Sequence, residues 1–165
     1  MNTNTPALAE TLSTDKILLA TFQLIKDIHH QYPATHLDIG SGAGSLIKLL
    51  RNNLPIQSTA CDYTDTLMAE EGVKVEITNL NTEKLPFADD TFDIVTCTEV
   101  IEHLEHYRET IQEAFRVCKT GGTFVVTTPN ILNLKSRLRF LFLVFIIYLA
   151  PCIFVKASCI QLVAT

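Results

Sequence analysis

The sequence predicts an α/β fold built on an open, doubly wound, mostly parallel sheet. Short apolar or β-branched runs near 36–39, 58–62, 73–80, 92–98 and 123–128 alternate with stretches of helical period. Gly, Pro and Asp signals separate them, as in Gly40 to Gly44, Gly72, Pro86 to Asp90 and Gly121-Gly122. Strands that alternate with helices in this way pair in parallel and need helices on both faces of the sheet. At 165 residues, the chain is long enough for one domain with a single core.

Each element has its own warrant. From Ser13 to His30, Ile17, Leu18, Phe22, Leu24, Ile25 and Ile28 recur at helical spacing, and Pro33 stops the run. His36-Leu37-Asp38-Ile39 reads as a short strand entering a glycine-rich loop, after which Leu46, Ile47, Leu49 and Leu50 resume the helical period. Ser58 to Asp62 is a second strand ending in a carboxylate, and Thr66 to Glu71 is expected to make one or two helical turns. Val73 to Leu80 alternates apolar and polar residues as a third strand with one polar face. Phe92 to Thr98 is a compact apolar fourth strand. Glu99 to Lys119 is expected to be helical throughout, with Gly121-Gly122 ending it through positive φ. Thr123 to Thr128 is the fifth strand, closed by Pro129. The expected organisation is an N-terminal helix at 1–35, a core at 36–130 and an apolar tail at 131–165.

Composition removes several function classes. A formal net charge of -5 offers no broad cationic field for phosphate backbones, so general nucleic-acid binding is disfavoured and a small-molecule substrate is expected. Cys61, Cys97, Cys118, Cys152 and Cys159 are odd in number and contain no CxxC pair, which suggests neither a disulfide framework nor a zinc knuckle. They read as reduced thiols of a cytoplasmic protein. Met1 to Glu10 is polar and lacks the pattern of an export signal.

The segment Asp38-Ile39-Gly40-Ser41-Gly42-Ala43-Gly44 puts glycine at every second position directly after a strand, so the backbone can turn sharply against a ligand. A dinucleotide fingerprint wants GxGxxG, but Ser45 stands where its last glycine would be. The loop is GxGxG. With an acidic residue two positions before the first glycine, it resembles the first motif of class I S-adenosylmethionine-dependent methyltransferases, of the type 11/23 kind. Lys84-Leu85-Pro86-Phe87, Thr91-Phe92-Asp93-Ile94-Val95 and Phe115-Arg116-Val117-Cys118-Lys119-Thr120-Gly121-Gly122 resemble the family's LPF, FDxV and RxLKPGG segments. The likeness runs from Leu37 to Asn130.

That resemblance implies a Rossmann-like sheet, incomplete here after the fifth strand, with S-adenosyl-L-methionine as cofactor. It implies that Asp38 receives the cofactor's ammonium and that Gly40, Ser41, Gly42 and Gly44 wrap its methionine half. Asp62, with Tyr63 beside it, would take the ribose hydroxyls. Adenine would lie near Asn79, Leu80 and Asn81, and Thr98 completes the set. Two departures stand out: Thr120 replaces the usual proline, and Asn79 or Asn81 stands where the family commonly has an aspartate for the adenine amino group. The chemistry implied is in-line attack of a substrate nucleophile on an activated methyl group, with the protein supplying proximity and orientation. A rival expectation is a non-catalytic cofactor-binding fragment.

Glu99, Glu102 and His103 fall at i, i+3 and i+4, one face of a helix if a helix begins there. Three readings stand. The string Glu99-Val100-Ile101-Glu102-His103 resembles the ExxEH motif that chelates a divalent metal in small-RNA 2′-O-methyltransferases and ubiquinone-pathway O-methyltransferases, though a further downstream histidine of the RNA enzymes is absent. His103 could instead be a general base. Or Glu102 and His103 cap and orient the helix at the strand tip, the reading preferred over metal.

Phe140 to Val155 is sixteen uncharged residues, just short of a bilayer span, preceded by Lys135, Arg137 and Arg139. Three readings compete: a membrane anchor with the domain on the cytoplasmic side, a buried helix, or a shifted reading frame. Codons for Leu143 to Phe154 shifted by two bases can encode GFYNLFGPLHF, close to a phrase that family relatives carry at this point. On any of these readings the fifth strand is expected to expose an unpaired edge.

Overall fold

The computed structural model describes the backbone of residues 5–129 and 157–163, with side chains from 15 to 128. In chain order the elements are α1 (Thr5–Ile28), β1 (Ala34–Ile39), α2 (Ser45–Asn53), β2 (Ile56–Asp62), β3 (Val75–Ile77), β4 (Phe92–Thr98), a 3-10 turn (Ile101–His103), α3 (Tyr107–Val117), β5 (Cys118–Pro129) and β6 (Ala157–Val163). The six strands form one sheet in the order β3-β2-β1-β4-β5-β6. The first five are parallel, as expected from the alternation of strand and helix.

The sheet order puts β1 in the middle, flanked by β2 and β4. Its residues are accordingly buried or half-buried on both faces, and the polar Thr35, His36 and Asp38 interrupt an otherwise apolar strand. Side chains alternate across it. Leu37 and Ile39 join Cys61, Val95, Cys97, Ala114, Val117 and Phe124 under α3, while Ala34 packs with Ile25, Leu46, Leu50, Ile94 and Val125 under α1 and α2. Helices therefore cover both faces. His36, Asp38, Ser58, Asp62 and Thr96 share the parity of Ala34, Ile56 and Ile94 and belong to the α1/α2 face.

Four expectations are corrected. The segment 66–71 forms turns, not a helix: the Thr64 and Thr66 hydroxyls pair at 3.0 Å, and Thr66 N donates to Thr64 Oγ1, side-chain bonds that compete with helical ones. The third strand is only Val75–Ile77, because Asn79 folds the chain back, its carbonyl oxygen taking the amides of Thr82 and Glu83. The helix expected over 99–119 is a 3-10 turn followed by α3, which ends at Val117, before the glycines. Gly121 does have φ of 78°, but within an irregular stretch of β5 where the register against β4 jumps from Cys118 to Thr123. Finally, β5 has a neighbour: β6 pairs with it antiparallel from Thr123↔Val163 to Pro129↔Ala157. The backbone groups of an open edge are a ready template for such a strand. Phe140 to Val155 lies outside the described residues, and among those described no helix is long and apolar enough to cross a membrane.

Candidate functional site

The carboxyl ends of β1, β2 and β4 lie side by side in the centre of the sheet, where an open α/β sheet presents its crevice. The glycine loop leaves β1 there. Gly40 N donates to Cys61 O at 2.7 Å, Gly44 N returns to Ser41 O at 2.9 Å, and Gly44 caps α2. Gly40 has φ of 72°, and a Cβ there would overlap Val100 Cγ2, so both conformation and packing demand glycine. Gly42 has φ of 51° and open space where its side chain would be. A side chain at Gly42 would extend into that open space without meeting a neighbouring atom.

Asp62 ties this loop to the second strand. Its Oδ2 accepts from Gly42 N at 2.7 Å and its Oδ1 from Tyr63 N at 2.6 Å. A carboxylate offers about four lone-pair sites, so both oxygens retain capacity for ligand hydroxyls. Tyr63 beside it is 73% exposed, an aromatic face left open to solvent. Ser41 Oγ and Thr98 Oγ1, in the loop and at the tip of β4, are buried hydroxyls without a hydrogen-bond partner. Orphaned hydroxyls are costly unless something completes them.

Asp38 is buried, and its Oδ1 accepts from Thr96 Oγ1 at 2.6 Å. Burial pushes its carboxyl up to about 7, aided by the negative charge of Asp62 and opposed by the Thr96 hydrogen bond. The sequence reading missed what lies behind it. His36, fully buried, contacts Thr96 Oγ1 through Nε2 at 2.8 Å and Ser58 Oγ through Nδ1 at 3.1 Å. Burial holds this imidazole down to about 3. The signal was available: His36 and Asp38 sit two apart, hence on one face, in a strand expected to be buried on both faces.

The adenine candidates form a turn. Asn79 Oδ1 accepts from Asn81 N at 3.1 Å, and Asn79 N donates to Glu83 Oε2 at 2.8 Å. Asn81 Oδ1 reaches across to the amides of Glu105 and His106 at 2.9 and 3.4 Å, binding the turn to the start of α3. Leu80 packs against the α3-side core. A groove of about 420 Å³ runs between this turn and α3, with Glu83, Glu109 and Glu113 on its walls. It reaches neither the glycine loop nor Asp62.

Glu99, Glu102 and His103 do not share a helix face, which corrects the geometry expected of them. Glu99 has φ of 56°, and only Ile101–His103 make a single 3-10 turn. Glu99 Oε1 accepts from Thr127 Oγ1 at 3.0 Å, so its carboxylate is anchored on β5, and its carboxyl is raised by burial. His103 is 77% exposed and touches Glu102 only at 4.0 Å. Among the described residues, no three His, Cys, Asp or Glu side chains gather as a metal-ligand set.

A family model described as a methyltransferase domain matches residues 37–126, more than half of the chain. The chain belongs to the class I S-adenosylmethionine-dependent methyltransferase family. This methyltransferase domain is 31% identical over 108 residues to the ubiquinone/menaquinone biosynthesis C-methyltransferase of Desulfotalea psychrophila, covering 59% of this chain and 43% of that protein. It is 33% identical over 97 residues to a Mycolicibacterium smegmatis protein named "Probable S-adenosylmethionine-dependent methyltransferase", covering 57% of this chain and 37% of the other. The crystal structure of YcgJ from Bacillus subtilis superposes with a TM-score of 0.59 at 26% identity, covering 70% of this chain and 51% of YcgJ. The chain thus spans roughly two fifths of the two curated relatives' length.

Proposed function

We propose that this methyltransferase domain binds S-adenosylmethionine at the carboxyl ends of β1, β2 and β4 and serves methyl transfer to a small-molecule acceptor. The observation that carries the reading is the Asp62–Gly42 bond, which joins the glycine loop to the β2 carboxylate. Around it stand two orphaned hydroxyls and the buried Asp38. When bound, the cofactor supplies a methyl group made electrophilic by its sulfonium. The chain's own part is to hold and orient. Asp38 receives the ammonium, Gly40, Ser41, Gly42 and Gly44 line the methionine half, Asp62 and Tyr63 face the ribose, and Asn79, Leu80 and Asn81 flank adenine. Thr98 closes the wall at β4.

For the proton that an acceptor hydroxyl must release, Glu102 and His103 are the exposed candidates, an imidazole being the commoner general base. Glu99, bound to Thr127, acts in orienting the strand tip. The lack of GxGxxG and the pair of carboxylates both suit a cationic cofactor better than a pyrophosphate. Isothermal titration should show S-adenosylmethionine and its demethylated product binding more tightly than NAD. Asp62→Ala should weaken that binding by about 1–3 kcal/mol as hydrogen bonds to a charged acceptor are lost. Tighter binding of NAD would overturn the proposal.

A further inference from the structure

Four side chains on the α1/α2 face of the sheet form one hydrogen-bonded chain, buried except at its half-buried Ser58 end: Ser58 on β2, His36 and Asp38 on β1, and Thr96 on β4. The strand register explains how they meet. His36 lies opposite Ser58, and Asp38 lies opposite Thr96. His36, Asp38 and Thr96 are all essentially sealed from water, at 0%, 3% and 0% exposure, so the chain must satisfy itself.

A hydroxyl carries a single proton, and that fixes the direction of the chain. When Asp38 is ionised, the 2.6 Å contact requires Thr96 Oγ1–H to donate to Asp38 Oδ1. Thr96 can then only accept from His36, so the imidazole must be the Nε2–H tautomer, with Nδ1 accepting from the Ser58 hydroxyl. When Asp38 carries a proton, the chain can run backward: Asp38 donates to Thr96, Thr96 to His36 Nε2, and His36 Nδ1–H to Ser58. Without His36 nothing pins the Thr96 hydroxyl, whose other acceptor within reach is Leu37 O at 3.5 Å.

We propose that His36 is a positioning residue of the cofactor site: by donating to Thr96 it commits the Thr96 hydroxyl to Asp38 and presents Asp38 as an oriented carboxylate for the cofactor's ammonium. This rests on the assignment of Asp38 to that ammonium in the proposed function. It predicts a dependence confined to the amino-acid end of the ligand, because Asp62 and the ribose side lie outside the chain of bonds.

The test compares S-adenosylmethionine with 5′-methylthioadenosine, which keeps the adenosine and lacks the amino acid, by titration calorimetry on the full chain. His36→Leu should weaken S-adenosylmethionine about ten- to a hundredfold and leave methylthioadenosine within about twofold, the loss expected for disturbing one charge-assisted bond. His36→Gln, whose Nε2–H2 can reach the same hydroxyl, should recover most of the affinity. Thr96→Val, nearly isosteric, should reproduce the selective loss even if His36→Leu fails to fold. In the wild-type complex, nitrogen-15 spectra of labelled histidine should show His36 as the Nε2–H tautomer. The proposal is overturned by equal losses for both ligands, by an unchanged affinity in a folded variant, by no rescue from Gln, or by the Nδ1–H tautomer. If the wild-type chain binds neither ligand, the cofactor reading itself fails and takes this one with it.

Discussion

At Asp38, burial pulls against the ammonium-binding role proposed for it. In the folded chain its carboxyl holds a proton up to about 7 against an ordinary 3.8, so between those values the folded state binds more protons than the unfolded state. Its contribution to stability therefore falls as pH rises through that window. His36 has the opposite sign: lowered to about 3 from 6.5, it costs stability as pH falls. Across the overlap the two offset each other, and a stability profile alone will not expose Asp38. Ligand affinity will. An ammonium favours the ionised carboxylate, and an α-amino group stays charged to about 7.7. Binding of S-adenosylmethionine should be about fivefold tighter at pH 7 than at pH 6, with proton release at pH 6. Calorimetry in buffers of different ionisation enthalpy measures that release. Asp38→Asn should abolish both effects, and a pH-independent affinity in the wild type would reject Asp38 as the ammonium's partner.

At the level of elements, the sheet order set the glycine loop and the β2 carboxylate at neighbouring strand ends, as their residues had suggested, since apolar runs and glycine punctuation are local signals. The strand-end positions of Asp38, the glycines and Asp62 were readable for the same reason. The segment after β4 was not readable. Ile101, Leu104 and Ile111 keep a helical period, yet the chain turns at Glu99, becomes extended at Leu104 and starts α3 only at Tyr107. Asn81 Oδ1 holds the Glu105 and His106 amides from another loop, a tertiary bond that no local period displays. Arg116 is a second such tie. From α3 it donates to the Leu85 and Phe87 carbonyls, to Asp89 and to Glu113, clamping the 85–89 turn, while Glu113 also accepts from Leu85 N. Its side chain is 27% exposed, which moderates the strength of these bonds. Arg116→Ala should cost about 2 kcal/mol in urea unfolding. Lysine, a point charge without the planar fork, should recover less than half of it. A loss under about 0.5 kcal/mol would show that the turn holds without the clamp.

For the molecule as a whole, the central question is whether a chain spanning two fifths of its curated relatives carries a working cofactor cleft. The architecture bears on it directly. β1, β2 and β4, whose ends make the candidate cleft, are the interior of the sheet, and β5 is flanked by β6, so the cleft's supports do not depend on an exposed edge. A ligand that binds only the folded chain stabilises it by mass action, about 2.7 kcal/mol at a hundred times its dissociation constant. For a domain of this size each kcal/mol moves the melting temperature by about 2–4 °C. Saturating S-adenosylmethionine should therefore raise the melting temperature by roughly 5–10 °C. NAD at the same concentration should give little, because the loop lacks the third glycine of a dinucleotide site. Magnesium or manganese at about millimolar concentration, added with the cofactor, should give no further shift, since Glu99 is held by Thr127 and His103 faces solvent. A metal-dependent rise would restore the Glu99, Glu102 and His103 ligand set, and the absence of any cofactor shift would mean that the cleft does not form in this chain.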